Sequence, residues 1–208
     1  MEKEKNARAY AVVMAGGKGE RFWPQSRLSN PKQLLRLLGN LTLIEQTIER
    51  LSAIFDYSHI IVVTNTNYVA PMRSLLSYLP QENIIGEPEG KDTAPCIANA
   101  AAYIKNTSRV PDPVLCLFPT DHIINDTVSF YDALADSLAV AEDTHHIVTI
   151  GIKPNAPMTG YGYIEVGDKM NFTSKTVFRK VCGFKEKPSL ELSEAYVADG
   201  KHMWNSGI

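Results

Sequence analysis

The sequence has little cysteine, no long apolar run and no strong excess of charge of either sign. Its three cysteines form no CxxC pair, which argues against a disulfide framework or a cysteine-ligated metal site. No apolar stretch approaches the ~20 residues that a membrane-spanning helix needs. The amino terminus, MEKEKNARAY, lacks the apolar region of a signal peptide. We therefore predict a cytoplasmic protein.

The near balance of charges limits the partners of the protein. Lys and Arg number 21 against 23 Asp and Glu, and the resulting net charge of −2 gives no general attraction for nucleic acid or for an anionic membrane. We expect neither as a partner, so an anionic ligand has to be held by a local group of basic side chains. The length of 208 residues and the 44% hydrophobic content are sufficient for one core. We predict a single domain over residues 1–208.

Short apolar runs alternate with helical patterns over most of the chain. The runs are apolar at successive positions, which is typical of parallel strands that are buried on both faces. Thr42 and Glu45 have the spacing of a capping box, and Thr93 begins a second helical pattern. The alternation predicts an α/β fold with a Rossmann-like open mixed, mainly parallel sheet and helices on both faces. The predicted strands are 10–15, 60–64, 114–118 and 147–150, and the predicted helices are 41–55, 93–104 and 130–141.

The carboxyl-terminal part departs from this alternation. Residues 161–166 and 177–184 are predicted as further strands, and a short helix is predicted over 190–199. Ser189 is the expected N-cap of that helix, and Gly200 follows its end. The sequence stops at WNSGI, where another strand is predicted to start. We therefore expect a truncated chain.

A basic, glycine-rich segment follows the first predicted strand. The glycines let the backbone approach a ligand closely and turn N–H groups inward. The segment does not match GxxxxGK[ST], and Phe22 stands where a dinucleotide-binding GxGxxG would have its third glycine. A glycine turn beside solvated charges is the alternative to a triphosphate site, but it leaves the two prolines of the segment without a purpose. Residues 16–33 carry a local charge of +3, from Lys18, Arg21, Arg27 and Lys32 against Glu20.

The string GGKGERFWPQSR, followed by NPKQ, resembles the signature of the sugar-phosphate nucleotidyltransferases. Its FWPxSR and PKQ variants resemble those of the guanylyl-transferring branch, which acts on mannose 1-phosphate. The resemblance implies a nucleotide-diphospho-sugar transferase fold, Mg²⁺ dependence, and GDP-mannose synthesis from GTP and mannose 1-phosphate with release of pyrophosphate. Five later segments agree in order: GEP at 86–88 with TAP at 93–95, FPTDH at 118–122, TGYGYI at 159–164, FKEKP at 184–188 and WNSG at 204–207.

The resemblance also implies a role for individual residues. The nucleotide is expected to contact Ala15, Gly16, Gly17, Gly19, Glu87 and Thr93. The catalytic cations are expected to be Arg21, Lys32 and Lys187, the sugar-phosphate residues Gly160, Gly162, Glu186 and Asn205, and the metal ligand Asp121.

Elementary chemistry supports several of these roles and leaves alternatives. Asp121 follows the apolar run VLCLFP, so it is predicted at the carboxyl end of a strand, where open α/β sheets bind ligands. A carboxylate there is a natural Mg²⁺ ligand, and capping of the next segment is the alternative. Glu87 can accept hydrogen bonds from N1–H and N2–H₂ of guanine, or it is a plain loop carboxylate. Lys187 bridges the reacting phosphates, or it is a surface lysine.

Other assignments stay open at this stage. His122 is a metal ligand or a structural histidine, and the glycines 160 and 162 allow close approach to the sugar ring or form a β-bulge or tight turn. A nucleotidyltransferase for another hexose phosphate or nucleotide, and a non-catalytic nucleotide-sugar sensor, are the rival functions. A homodimer is one alternative for the oligomeric state. Because the second metal-binding Asp of the family lies beyond the WNSG segment, we expect this chain to bind GTP but to turn over mannose 1-phosphate poorly.

Overall fold

The computed structural model describes residues 6–17, 19, 22–28, 30–37 and 39–208. The chain forms two compact units, Met1–Thr127 and Val128–Ile208. This division does not test the expected single domain, which stays a prediction. Among the described residues, no helix combines the length and the apolar character that a membrane crossing requires.

The first unit is built on a four-stranded parallel sheet. Its strands are β1 (Ala9–Ala15), β2 (Ile60–Asn65), β3 (Ile84–Glu87) and β4 (Val114–Pro119). They lie in the order β3-β2-β1-β4. The predicted strands at 10–15, 60–64 and 114–118 are confirmed. Strand β3 was not predicted, because its four residues are too few to form a recognisable pattern.

Helices cover both faces of this sheet. Tyr10 and Val12 of β1 pack in one cluster with Cys96, Ala100 and Ile104 of the helix after β3. Successive side chains of a strand point to opposite faces, and the alternate residues of β1 and β2 are also fully buried. The predicted α/β class and the parallel sheet with helices on both faces are therefore confirmed.

The helices of the first unit are α1 (Leu43–Leu51), α2 (Thr66–Leu75) and α3 (Thr93–Thr107). The capping box of α1 is confirmed, with the Thr42 hydroxyl accepting from the Glu45 N–H and the Glu45 carboxylate accepting from the Thr42 N–H. α3 begins at Thr93 as predicted. Sequence patterns missed α2, because it buries only Met72 and contains Pro71, so it has no apolar stripe.

The second unit contains a separate four-stranded antiparallel sheet. Its elements are α4 (Thr127–Thr144), β5 (Gly151–Ile152), β6 (Gly162–Met170), β7 (Phe178–Glu186), α5 (Leu190–Asp199) and β8 (His202–Asn205). The strands lie in the order β5-β8-β6-β7. The two predicted tail strands are confirmed as β6 and β7, which pair antiparallel with each other. The predicted helices 130–141 and 190–199 are confirmed, the latter with the Ser189 hydroxyl as N-cap and Gly200 in the left-handed region at φ 65°.

The predicted strand at 147–150 is wrong. These residues have no regular secondary structure, and Ile147 is fully exposed. The ladder with β8 begins only at Gly151, which pairs with Asn205. An apolar run forms a strand only where a partner strand runs beside it, and the ladder here extends over two residues.

Candidate active site

The carboxyl ends of three parallel strands carry the candidate nucleotide site of the first unit. β1 ends at Ala15 and leads into the glycines, β3 ends at Glu87, and Asp121 follows β4 by two residues. Open parallel sheets bind their ligands at this edge. The structure therefore brings residues that are distant in sequence to one edge of one sheet.

Lys32 and Asp121 form an ion pair at this edge. Lys32 begins a 3₁₀ turn (Lys32–Leu34), and its Nζ lies 2.6 Å from Oδ2 of Asp121. The two side chains are only 20% and 29% exposed. Burial by itself would raise the pKa of Asp121, but the hydrogen bond and the charge of Lys32 outweigh it and hold the pKa below 3.8. Asp121 is therefore ionised at neutral pH.

The glycine loop passes close over Lys32. A Cβ atom added to Gly17 would lie 3.2 Å from Cε of Lys32, and one added to Gly19 would lie 2.5 Å from its Cβ. Gly19 also has φ +70°, a region that L-residues rarely adopt. Glycine is therefore required where the loop crosses Lys32. Contact of a nucleotide with this loop stays a prediction, and Arg21 and Lys18 lie outside the described residues.

Glu87 is a buried carboxylate beside the glycine loop. It is 6% exposed, and a Cβ atom added to Gly16 would lie 3.3 Å from its Oε2. Burial raises the pKa of Glu87 above its usual range. Within the described part of the chain, no group donates a hydrogen bond to this carboxylate, so both oxygens keep acceptor capacity. Thr93 lies exposed at the first position of α3.

Three polar side chains that motif reasoning did not assign hold the end of β1. Gln33 Nε2 and Thr64 Oγ1 donate to the Ala15 carbonyl at 2.6 and 3.0 Å, and Thr120 Oγ1 contacts the Met14 carbonyl at 3.5 Å. All three residues are buried. In the sequence, Thr64 can be found as a threonine near the end of an otherwise apolar strand. Gln33 can be found as part of the PKQ string.

In the second unit, three of the four predicted sugar-phosphate residues lie together. Gly162 pairs with Glu186 across β6 and β7, and Asn205 lies on the other side in β8. A Cβ atom added to Gly162 would lie 2.8 Å from Oε2 of Glu186 and 3.6 Å from Cβ of Asn205. The register shifts of β6 occur at Glu165 and beyond, so Gly162 serves close approach rather than a bulge. Gly160 has no atom within 4 Å of an added Cβ.

Lys187 directly follows β7. Its backbone has φ +45°, and its N–H donates to the Tyr161 carbonyl at 3.2 Å. The ammonium lies 3.2 Å from Oε1 of Glu186 and is 56% exposed. The lysine is thus available to a ligand of the second unit, and its phosphate-bridging role stays a prediction.

Asp121 is an ionised carboxylate two residues beyond the carboxyl end of β4. Within the described residues, no group of three or more His, Cys, Asp or Glu side chains could hold a metal by itself. Burial lowers the pKa of His122, and the charges of Arg50 and Lys32 add to this effect while Asp121 opposes it. Mg²⁺ commonly takes one or two carboxylates and completes its shell with phosphates and waters, so an ionised Asp121 fits this use.

Comparison with known proteins places this geometry in a family. Residues 10–208 match the family described as Nucleotidyl transferase. The chain belongs to the nucleotidyl transferase family. The match covers the glycine loop, the Lys32–Asp121 pair and the residues at Gly162, so both sets of predicted site residues lie within the family domain.

The relatives of this nucleotidyl transferase chain include bacterial enzymes. It is 42% identical over 204 residues to a mannose-1-phosphate guanylyltransferase of Escherichia coli K12 and 43% identical over 199 residues to one of Klebsiella pneumoniae. These matches cover 97% and 95% of this chain but 42% and 41% of the relatives. The chain thus spans about two fifths of the length of these curated relatives.

A solved structure is also similar. A protein of Thermus thermophilus described as a mannose-1-phosphate geranyltransferase superposes with a TM-score of 0.84 at 33% sequence identity. The similarity covers 96% of this chain and 56% of that one. It supports the fold of each unit described above.

Proposed function

We propose that the protein transfers a guanylyl group from GTP to mannose 1-phosphate, releasing pyrophosphate and forming GDP-mannose. The observation that carries this proposal is the 42% identity to the E. coli guanylyltransferase over 97% of the chain. That range includes the glycine loop, Glu87, the Lys32–Asp121 pair and the residues around Gly162. We also propose a cytoplasmic location, and a homodimer is the simplest assembly to test.

The first unit is proposed to bind GTP. The amides of the glycine loop, with Lys32 and Arg21, would hold the triphosphate, because backbone N–H groups and cations together stabilise phosphate oxygens. Glu87 would select guanine: its carboxylate has free acceptor capacity, and guanine offers the donors N1–H and N2–H₂ side by side. Uracil and thymine lack this donor pair, so they would leave the buried carboxylate unpaired.

Asp121 would hold a magnesium ion together with the phosphates of the nucleotide. A bound Mg²⁺ neutralises phosphate charge and stabilises the leaving pyrophosphate. Lys32 forms an ion pair with Asp121, so its ammonium would lie close to the same phosphates. Because the pKa of Asp121 is held low, the carboxylate needs no deprotonation before it binds a cation.

The second unit is proposed to bind mannose 1-phosphate. The Glu186 carboxylate would accept hydrogen bonds from sugar hydroxyls, and the Asn205 amide would donate and accept them. Gly162 leaves room beside both side chains. The phosphate of the sugar is already an oxyanion near neutral pH, so its attack on the α-phosphorus requires no protein base. Catalysis then consists of aligning two polyanions and screening their repulsion, for which Lys187 supplies a cation.

Release of pyrophosphate tests the proposal. GTP, ATP, UTP and dTTP would each be combined with mannose 1-phosphate and glucose 1-phosphate in the presence of Mg²⁺. We expect GTP with mannose 1-phosphate to give the highest kcat/KM, and Asp121→Asn to abolish most of it. Faster turnover of UTP with glucose 1-phosphate would reassign the substrates, and binding of GDP-mannose by a full-length version without turnover of any pair would favour a sensor.

A further inference from the structure

The side-chain amide of Gln33 is fully buried, and only its nitrogen has a hydrogen-bond partner among the described residues. Its Nε2 donates to the Ala15 carbonyl at 2.6 Å, and the side chain has 0% exposure. Its Oε1 is also buried, and within the described residues no donor reaches it. A buried acceptor without a partner lowers stability, so an apolar side chain of similar size would serve the core at least as well. We therefore attribute the presence of an amide at position 33 to its one hydrogen bond, which it donates to the Ala15 carbonyl.

That hydrogen bond determines the direction of a peptide group at the start of the glycine loop. The carbonyl of Ala15 and the N–H of Gly16 belong to one planar trans peptide and point in opposite directions. Thr64 Oγ1 donates to the same carbonyl at 3.0 Å. Two side chains from different elements thus hold this carbonyl on one side, which turns the Gly16 N–H to the other.

The same turn also carries the cation of the site. Lys32 and Gln33 are adjacent in the 3₁₀ turn Lys32–Leu34. Lys32 reaches Asp121 after β4, while Gln33 reaches Ala15 at the end of β1. The turn therefore sets the position of the ammonium relative to the first amide of the loop.

We propose that Gln33, together with Thr64, is a positioning residue that aims the Gly16 amide at a phosphate of the bound nucleoside triphosphate. The inference rests on the proposed function, since it assumes that the loop binds a triphosphate. The Gly16 backbone also lies beside Glu87, so guanine selection is measured separately, as the ratio of the GTP and UTP affinities. A positioning role predicts lower affinity for every triphosphate by the same factor.

Two variants and two matched controls test this role. Gln33→Met removes the donor at similar volume, and Thr64→Val removes the hydroxyl while keeping the shape. Thr64→Ser retains a hydroxyl at this position. Ser193→Ala deletes another buried hydroxyl, which donates to the Leu190 carbonyl at 2.7 Å within α5 of the second unit. Affinities for GTP and UTP with Mg²⁺ would be measured by calorimetry, and Tm by thermal denaturation.

We expect Gln33→Met and Thr64→Val each to weaken binding of both nucleotides roughly fivefold to tenfold, which corresponds to one lost hydrogen bond. Thr64→Ser should retain the wild-type affinity, and Ser193→Ala should lower Tm without changing affinity. Unchanged affinity in both Gln33→Met and Thr64→Val would overturn the inference. If Gln33→Met does not fold, the comparison of Thr64→Val with Thr64→Ser tests the inference by itself.

The same data separate this inference from the proposed function. If the wild-type protein binds UTP as tightly as GTP but both variants lose affinity for each, guanine selection is wrong and the positioning role stands. If the wild-type protein binds neither nucleotide, both proposals are overturned.

Discussion

Nζ of Lys32 lies 2.6 Å from Oδ2 of Asp121, although the two residues are 89 positions apart. Both side chains have assigned ligands in the proposed reaction, Lys32 a phosphate and Asp121 a magnesium ion. In the structure each charge neutralises the other. A magnesium ion held by Asp121 would release Lys32 for the nucleotide, so we expect the two binding events to favour one another.

The first prediction concerns nucleotide binding without metal. In Asp121→Asn, Lys32 loses its anionic partner, so GTP in the presence of EDTA should bind several-fold more tightly than to the wild-type protein. With Mg²⁺ the order should reverse. Calorimetry under both conditions measures the change. Asp132→Asn is the matched control, because Asp132 forms an exposed ion pair with Lys175 in the second unit, and it should change neither affinity.

The second prediction concerns stability and pH. The folded-state pKa of Asp121 lies below the ordinary value of 3.8, so its stabilising contribution is complete above about pH 4 and is lost as the pH falls through the folded pKa. We expect Lys32→Met to lower the stability at pH 7 by about 1–3 kcal/mol, since it leaves a largely buried carboxylate unpaired. The difference in Tm from the wild-type protein should shrink on acidification towards pH 3. A difference in Tm that does not change with pH would mean that the difference does not arise from the ion pair.

Lys32→Met should also lower kcat/KM by roughly 10²-fold, because the cation stabilises charge in the transition state. Lys32→Arg should not restore the full rate, since a planar fork replaces a compact ammonium. Adding Asp121→Asn to Lys32→Met should recover stability but not activity. This double variant therefore separates the structural effect of the pair from its effect on catalysis.

The third prediction concerns Glu87. Burial raises its pKa, so the ionised form is destabilising in the folded protein, and the penalty grows as the pH rises from the ordinary value of about 4.5 towards the folded pKa. Glu87→Gln should therefore keep or raise Tm at pH 7 while weakening GTP binding about 10-fold or more, because charged hydrogen bonds to guanine are lost. Glu89→Gln is the control, since Glu89 is 74% exposed and paired with Lys91. Unchanged GTP affinity in Glu87→Gln would leave Glu87 as an ordinary loop carboxylate.

The fourth prediction compares two glycines two positions apart. Gly162→Ala places a methyl group 2.8 Å from Oε2 of Glu186, so that carboxylate must move. We expect KM for mannose 1-phosphate to rise about 10-fold or more, with little change in KM for GTP. Gly160→Ala meets no protein atom within 4 Å, so it changes KM for mannose 1-phosphate only if Gly160 itself approaches the sugar ring. Gly183→Ala is the control, because its methyl group meets only Oε2 of Glu165 at 3.7 Å, and it should leave both values unchanged. An equal effect of Gly162→Ala and Gly183→Ala would show that space beside Glu186 does not matter for the sugar.

Elements with strong local signals were predicted well. The capping box at Thr42, the start of α3 at Thr93 and the helix between Ser189 and Gly200 all rest on signals within the segment itself. α2 was missed because Pro71 and its polar residues give no local signal, and the strand at 147–150 was predicted because its apolar run gives a misleading one. Secondary structure is therefore predicted reliably only where residues within the segment determine its conformation.

The alternation of strands and helices, the caps, the basic glycine loop and the family resemblance all follow from the amino-acid sequence. Which of these residues meet depends on the folded chain: Lys32 with Asp121, Gln33 and Thr64 with Ala15, and Glu186 with Gly162. These contacts run between neighbouring strands or from a loop to a strand end. Strand order and register determine them, and neither is encoded in the pattern of a single segment.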